Sequence, residues 1–201
     1  MCISSIEKMV KFLIFILCIS HFQIVLAADT DTDYSVQSFE DENKINLESE
    51  LKKIDILIKM GFENADIYYN RGWIQAEKGE YDLAKKDYSY AIKLDNSHAD
   101  AYFNRGLIYL MEKKYRKAIS DFSQAIKYNP QMSDAFCNRG NAYLQIGKAR
   151  KALEDYDKAI NINGDDPDLY YNRAFIYQAL GRKKDADDDF NKAKELGRFE
   201  K

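Results

Sequence analysis

A spacing of 34 residues recurs without gaps from residue 65 to residue 200, and it restricts the possible folds more than any other feature of this chain. With residue 65 as position 1 of the first unit, small residues recur at positions 8, 20 and 27, and aromatic residues at positions 4 and 24. The small residues are Gly72, Gly106, Gly140, Ala174; Ala84, Ala118, Ala152, Ala186; and Ala91, Ala125, Ala159, Ala193. The aromatic residues are Tyr68, Tyr102, Phe136, Tyr170 and Tyr88, Phe122, Tyr156, Phe190. A fixed period of this length is typical of a solenoid built by stacking one supersecondary unit.

Each unit has room for two antiparallel helices of about 14 residues joined by a turn. Gly or Ala at the recurring positions lets the two backbones approach closely, and the aromatic side chains fill the space beside those contacts. Because one unit cannot bury its own apolar stripe, stability must come from stacking on its neighbours. Enlarging Ala118 or Ala152 is therefore expected to overpack a helix contact, at a cost of ~1–3 kcal/mol or more.

These recurring residues resemble the tetratricopeptide-repeat family over four units, 65–98, 99–132, 133–166 and 167–200. The resemblance implies an all-α, right-handed α-solenoid of helix-turn-helix units. Three features depart from the family pattern. The proline that usually closes a unit is present only as Pro130, Gln75 replaces a tyrosine of the later units, and Ala149 replaces an aromatic residue.

The segment before the repeats is expected to contain one more helix, because Leu47, Leu51, Ile54, Leu57 and Ile58 recur at three- and four-residue steps. We interpret residues 46–64 as an N-terminal helix that covers the exposed end of the array. Residues 28–45 contain alternating aspartates and little hydrophobic periodicity, which predicts an acidic, flexible leader.

Residues 1–27 have the organisation of a secretory signal peptide. Lys8 and Lys11 precede the apolar run 12–19, and Val25-Leu26-Ala27 places small residues before a cleavage site. The alternative is an uncleaved membrane anchor, for which the apolar stretch is marginally short. Both interpretations place the repeats outside the cytoplasm, either periplasmic or secreted, and a membrane is expected as a partner only if the segment is uncleaved.

Every unit carries Arg at position 7 and Asp at position 23, and we predict that they pair within each unit. The pairs are Arg71 with Asp87, Arg105 with Asp121, Arg139 with Asp155, and Arg173 with Asp189. Bidentate geometry at a partly buried site favours Arg over Lys. These pairs are expected to join the two helices of a unit rather than to bind a ligand.

In the tetratricopeptide family the first helix of each unit lines a concave surface, and this resemblance implies a binding groove here. Position 6 would form a ladder of asparagines, which can donate to and accept from a peptide backbone; the alternative is that Asn is simply common there. Apolar and aromatic side chains around the ladder are candidate binding residues, although part of this set must be core. The predicted partner-binding residues are Tyr69, Asn70, Trp73, Phe103, Asn104, Leu107, Met111, Asn138, Tyr171, Asn172 and Phe175.

The expected partner is a protein or peptide that is neutral or basic and partly apolar, because the predicted inward positions contain acids and neither Lys nor Arg. This argues against the carboxylate-clamp members of the family, which hold an acidic C-terminus with basic residues. The net charge of −3 gives no indication of a nucleic-acid partner.

We expect no enzymatic activity, no metal site and no cofactor. Cys137 has no histidine in its own unit, and the sequence shows neither a phosphate-binding Gly loop nor a cluster of metal ligands. The leading hypothesis is an exported interaction module that acts as an adaptor or scaffold and holds an extended peptide or partner helix in its groove. The alternatives are a structural subunit of an envelope complex, associating through its convex face or open C-terminal end, and a secreted effector.

Overall fold

The computed structural model describes residues 47–198, which form nine helices and no strand. The helices are α1 (47–59), α2 (Ala65–Glu77), α3 (Tyr81–Leu94), α4 (Ala99–Met111), α5 (Tyr115–Tyr128), α6 (Ser133–Gln145), α7 (Ala149–Ile162), α8 (Pro167–Ala179) and α9 (Lys183–Glu195). Helices α2 to α9 pack consecutively along the chain, so the predicted all-α solenoid is confirmed. The predicted signal peptide (1–27) and acidic leader (28–45) lie outside the described residues.

The first helix of three repeats begins at a side-chain cap. Asn64 Oδ1 accepts a hydrogen bond from Ile67 N at 2.8 Å, and His98 Nδ1 accepts one from Ala101 N at 3.2 Å. Asp166 caps α8 immediately before Pro167, which has no N–H to leave unpaired. Local sequence thus fixes where these first helices begin.

Within repeats 1 to 3 the two helices approach so closely that the glycine at position 8 has almost no space for a side chain. A Cβ atom on Gly106 would lie 2.8 Å from the Phe122 ring, and one on Gly72 would lie 3.1 Å from Tyr88. The alanines at positions 20 and 27 are completely buried in all four repeats. The predicted role of the small residues is therefore confirmed.

Three clusters of buried side chains join successive repeats. Repeats 1 and 2 share a cluster that includes Tyr68, Tyr88 and Ile108. Repeats 2 and 3 share Phe103, Phe122 and Ala142, whereas repeats 3 and 4 share Phe136, Tyr156, Leu169 and Ile176. Each repeat thus completes the core of its neighbour, as expected for a solenoid.

The predicted Arg–Asp pairs are present in all four repeats with bidentate geometry. Arg105 Nε and Nη2 donate to Asp121 at 2.7 and 2.8 Å, and the other three pairs have distances of 2.6–2.8 Å. The four aspartates are buried. Burial alone would lower the pKa of Arg105, but the hydrogen bonds to Asp121 and its negative charge raise it overall.

The same arginines also link neighbouring repeats, which the sequence analysis did not anticipate. The remaining Nη1 of each Arg bonds to the residue 16 positions earlier, which lies on α1 for Arg71 and on the second helix of the preceding repeat for the other three. Its partners are Asp55, Ser89, Ser123 and Asp157 for Arg71, Arg105, Arg139 and Arg173. In repeats 2 to 4, one guanidinium therefore fixes both the helix pair and the stacking on the preceding repeat.

Candidate functional site: a cleft between the first two repeats

A cleft of about 160 Å³ lies between repeats 1 and 2, and it brings together four of the predicted binding residues. These are Trp73 from α2 and Asn104, Leu107 and Met111 from α4. The other lining residues are Ala76, Glu77, Tyr81, Tyr88 and Ile108. The cleft is thus mostly apolar and aromatic, with few polar groups, as small binding clefts usually are.

Tyr81 is a lining residue that the sequence analysis missed. It is position 17 of its repeat, the first residue of the second helix α3, whereas the prediction considered first helices alone. Its side chain is exposed. Repeat 2 also has an aromatic residue at position 17, Tyr115, and this recurrence is the sequence feature that indicates a contact position.

Two predicted residues expose large apolar surface. Met111 is 50% exposed and Phe175 is 48% exposed, whereas Trp73 and Leu107 are half-buried. Burying apolar surface stabilises a complex by roughly 25 cal/mol per Å². A partner that covers Met111 or Phe175 would therefore gain binding free energy.

The predicted residue Tyr69 is half-buried and contacts the cleft residue Asn104. Its hydroxyl accepts a hydrogen bond from Asn104 Nδ2 at 3.1 Å, and its ring centroid lies 4.8 Å from that of His98. Burial, with a further contribution from the negative charge of Asp100, raises the pKa of Tyr69 to about 12. The phenol is therefore neutral at physiological pH and positions Asn104.

The four asparagines at position 6 have different environments. Asn70 is exposed, whereas Asn104, Asn138 and Asn172 are buried. Asn138 is 2% exposed, and its Nδ2 donates to the backbone oxygen of Asp134 at 2.8 Å. Asn104 and Asn138 thus already have hydrogen-bond partners within the protein, and their contact with a peptide backbone stays a prediction.

Phe103 packs into the core shared by repeats 2 and 3. It is 8% exposed, and its ring centroid lies 5.8 Å from that of Phe122. A change at Phe103 would therefore alter packing as well as any contact with a partner.

Repeat 4 carries a second aromatic group, formed by Tyr171, Phe175 and Phe190. Their ring centroids are 4.9–5.5 Å apart with edge-on geometry, which is favourable for aromatic pairs. The guanidinium of Arg198 lies 3.7 Å from the Tyr171 ring centroid and pairs with Asp168. This arginine therefore lies beside predicted groove residues as part of an ion pair, and it was not among the predicted binding residues.

A second, wider cleft of about 690 Å³ lies on the second helices of repeats 1 and 2 and has a basic lining. Lys85 lies 2.9 Å from Asp82 and also pairs with Glu112, and Lys117 Nζ lies 5.4 Å from the Tyr109 ring centroid. The lining residues are Asp82, Lys85, Lys86, Ser89, Tyr90, Lys93, Tyr109, Lys114 and Lys117. These lysines occupy five different repeat positions, and none of those positions is basic in all four repeats, so the periodicity did not indicate the cluster.

Within residues 47–198, no group of His, Cys, Asp and Glu side chains could hold a metal ion. Over the same range, no helix is both long and apolar enough to cross a membrane.

Comparison with protein-family models identifies the repeats. Models described as "TPR repeat" match residues 74–113 and 140–181, and models described as "Tetratricopeptide repeat" match residues 99–132 and 167–198. This chain belongs to the tetratricopeptide-repeat family. Because tetratricopeptide repeats mediate protein–protein contacts, the chain is a protein-interaction module, and the family generally provides scaffolds rather than enzymes.

Solved structures of MamA share this tetratricopeptide fold. One crystal structure of MamA has a TM-score of 0.73 at 23% identity, covering 85% of this chain and 97% of MamA. MamA from Desulfovibrio magneticus RS-1, from residue 41 to its end, has a TM-score of 0.71 at 22% identity, covering 83% of this chain and 94% of that one. At these identities the similarity shows the fold alone. A comparison with curated proteins found no significant sequence match.

Proposed function

We propose that this tetratricopeptide-repeat chain is a non-catalytic adaptor or scaffold that holds an extended peptide or a partner helix in its concave groove. One observation carries the proposal: Trp73, Leu107 and Met111, from two successive repeats, line a single accessible apolar cleft. A partner side chain inserted there would lose contact with water on several sides, which is the usual environment of a binding hot spot.

The charge of the cleft supports a partner that is neutral or basic. Glu77 is the one charged residue among the described residues that line it, and burial raises the pKa of its carboxyl group. A basic partner residue would compensate for this carboxylate, whereas an acidic one would be repelled.

Binding through the cleft can be tested by capturing partners from the envelope fraction with three forms of the protein. Met111→Asp places a charge on the 50% exposed side chain that lines the cleft, and Leu83→Asp does the same at a 45% exposed side chain outside its lining. We expect Met111→Asp to lose the captured partner and Leu83→Asp to retain it. Equal capture by both variants would contradict the proposal.

We also propose that residues 1–27 direct export and are removed, which places the repeats in the periplasm or outside the cell. The support is the order of charged start, apolar core and small-residue exit in the sequence. Determination of the N-terminus of the protein recovered from cells should give Ala28. An intact N-terminus in the membrane fraction would support the uncleaved anchor instead.

The structural-subunit alternative requires association through the convex face or the C-terminal end, and the side chains of α9 do not favour the latter. Positions 21 and 28 hold Ile119, Leu153, Ile126 and Ile160 in repeats 2 and 3, but Asp187 and Lys194 in repeat 4. A further repeat would thus meet charged side chains there. Light scattering over a range of concentrations should show a monomer; growth of the particle with concentration would favour the structural subunit.

A further inference from the structure

The turns inside repeats 2 to 4 form a row of basic residues along one edge of the array. They occupy positions 15–19, which are residues 113–117, 147–151 and 181–185. Asp185 is the one acidic residue of these three segments. The basic residues are Lys113, Lys114, Arg116 and Lys117; Lys148, Arg150 and Lys151; and Arg182, Lys183 and Lys184, and all of them are exposed. We call this row the basic edge.

The turns between repeats have the opposite charge. Residues 95–100, 129–134 and 163–168 contain no Lys or Arg, and their acidic residues are Asp95, Asp100, Asp134, Asp165, Asp166 and Asp168. Because the two helices of a repeat are antiparallel, the turns inside repeats and the turns between repeats lie at opposite ends of the helices. The charges are therefore separated between two edges, although the net charge of the chain is only −3. Positive charges collected on one edge attract and orient an anionic partner.

The basic edge continues into the wider cleft on the second helices of repeats 1 and 2. The lysines that line this cleft, against the single acidic residue Asp82, are Lys85, Lys86, Lys93, Lys114 and Lys117. Lys85 and Lys114 pair with Glu112. Lys86, Lys93 and Lys117 are exposed, and none of them forms an ion pair with another residue of the described range, 47–198. Their three positive charges are thus available to a ligand.

Tyrosine rings position two of these three lysines. Lys93 Nζ lies 5.4 Å from the Tyr90 ring centroid, and Lys117 Nζ lies 5.4 Å from that of Tyr109. The face of an aromatic ring attracts an ammonium group, yet the N–H groups can still donate hydrogen bonds to carboxylate oxygens. Binding then requires less ordering of these long side chains, which reduces its entropic cost.

We propose that the wider cleft and the adjoining basic edge bind an extended, acidic segment of a partner protein. Its carboxylates pair with Lys86, Lys93 and Lys117 in the cleft. Lys151 of repeat 3, whose Nζ lies 5.5 Å from the Tyr143 ring centroid, provides the next contact along the edge. A single extended chain can enter a cleft of about 690 Å³, whereas a flat bilayer contacts only the side chains that protrude.

This site is separate from the apolar cleft of the proposed function. The two clefts share no lining residue, and the charges that line them favour partners of opposite sign. Both can therefore be occupied at once, and the chain would then join a neutral or basic partner to an acidic one. The inference does not depend on the apolar cleft, because the lysines that support it lie outside that cleft.

Two charge-reversal variants of the full chain test the proposal with a defined acidic probe. The probe is a fluorescent peptide of alternating Glu and Gly, about 12 residues long and thus roughly 40 Å when extended. The cleft variant combines Lys86→Glu, Lys93→Glu and Lys117→Glu. The matched control combines Lys59→Glu, Lys127→Glu and Lys158→Glu, at exposed lysines outside the cleft and the basic edge. Both variants have the same net charge, so only the position of the charges differs.

Fluorescence anisotropy should show that the Glu peptide binds to the wild type and to the control. It should bind about tenfold more weakly to the cleft variant, because three charge contacts are lost. Added salt should weaken the binding, and a peptide of alternating Gln and Gly should not bind. Saturation with unlabelled Glu peptide should leave the emission of Trp73 unchanged, because Trp73 lines the other cleft. Equal affinities of the two variants, or no binding of the Glu peptide to the wild type, would overturn the proposal.

Two further measurements test other occupants of the same surface. Sedimentation with vesicles of phosphatidylcholine and phosphatidylserine tests a membrane, and light scattering tests a second copy of the chain, whose acidic turns carry the complementary charge. Vesicle binding or dimer formation that the control keeps and the cleft variant loses would assign the surface to that occupant and overturn the proposal. Circular-dichroism melts of both variants should match the wild type, since all six lysines are exposed.

Discussion

Arg105 Nη1 donates a hydrogen bond to Ser89 Oγ at 2.8 Å while its other nitrogens hold Asp121, so one side chain joins α3, α4 and α5. The carboxylate of Asp121 is buried and needs these donors. Because the arrangement repeats along the chain, the arginines set the spacing between repeats as well as the geometry within them.

Replacement of this guanidinium should destabilise the array although the charge is kept. Arg105→Lys retains one donor group but loses the planar guanidinium, which donates hydrogen bonds to Asp121 and Ser89 at the same time. We expect the free energy of unfolding to fall by about 1–3 kcal/mol, measured by urea denaturation. Arg116→Lys, at an exposed site on α5, is the control and should change little. Equal midpoints for the two variants would refute the proposed role.

Overpacking at a helix contact should lower the free energy of unfolding by an amount comparable to that expected for Arg105→Lys. Ala118 is completely buried at position 20, so Ala118→Leu forces the helices apart and should cost ~1–3 kcal/mol or more. Ser120→Leu adds the same side chain on the exposed face of the same helix and should stay within ~0.5 kcal/mol of wild type. Circular-dichroism melts of the two variants provide the comparison, and coincident melts would rule out this packing.

High pH should unfold the protein through its buried tyrosines. Burial raises the pKa of Tyr69 to about 12, and it also raises the pKa of Tyr88 and Tyr156. Since the folded state binds these protons more tightly, their stabilisation is complete below the ordinary pKa of about 10. It is lost as the pH rises through the pKa of the folded state.

The measurement is the melting temperature between about pH 9 and pH 12, with phenolate absorbance recorded in parallel. We expect the melting temperature to fall across this range, and the most buried tyrosines to ionise only on unfolding. A melting temperature independent of pH, with all tyrosines titrating near 10, would contradict this prediction.

Much of the fold was predictable because close helix packing restricts which residue types can occupy the contact positions. Gly106 and Ala118 are small since a larger side chain would collide with the neighbouring helix, and the pairing of Arg105 with Asp121 follows from their fixed separation. The bond from Arg105 to Ser89 was not predictable in the same way, because position 25 is Ser in two repeats and Asp in another. The Arg guanidinium can donate a hydrogen bond to either Ser or Asp. The residue type at position 25 is therefore less restricted than at positions 7 and 23.

The candidate site was only partly predictable, because one register position has different environments in different repeats. Position 5 is Tyr69, Phe103 and Tyr171 in three repeats, but Phe103 is buried in the core whereas Tyr69 and Tyr171 are half-buried. Periodicity identifies the face of a helix, and neighbouring side chains then determine what is accessible. Tyr81 and Arg198 were not predicted as site residues because they lie outside the first helices.

The central claim, that a partner occupies the cleft of repeats 1 and 2, is tested most directly by the fluorescence of Trp73. It is the only tryptophan of the chain and lines the cleft, so its emission reports on this site alone. Titration with a captured partner peptide should shift and saturate the emission, and Met111→Ala should weaken the apparent affinity by about tenfold, equivalent to 1.4 kcal/mol. Leu83→Ala, with similar exposure outside the cleft lining, should bind as wild type does. Binding of the peptide with unchanged Trp73 emission and equal affinity for both variants would contradict the account.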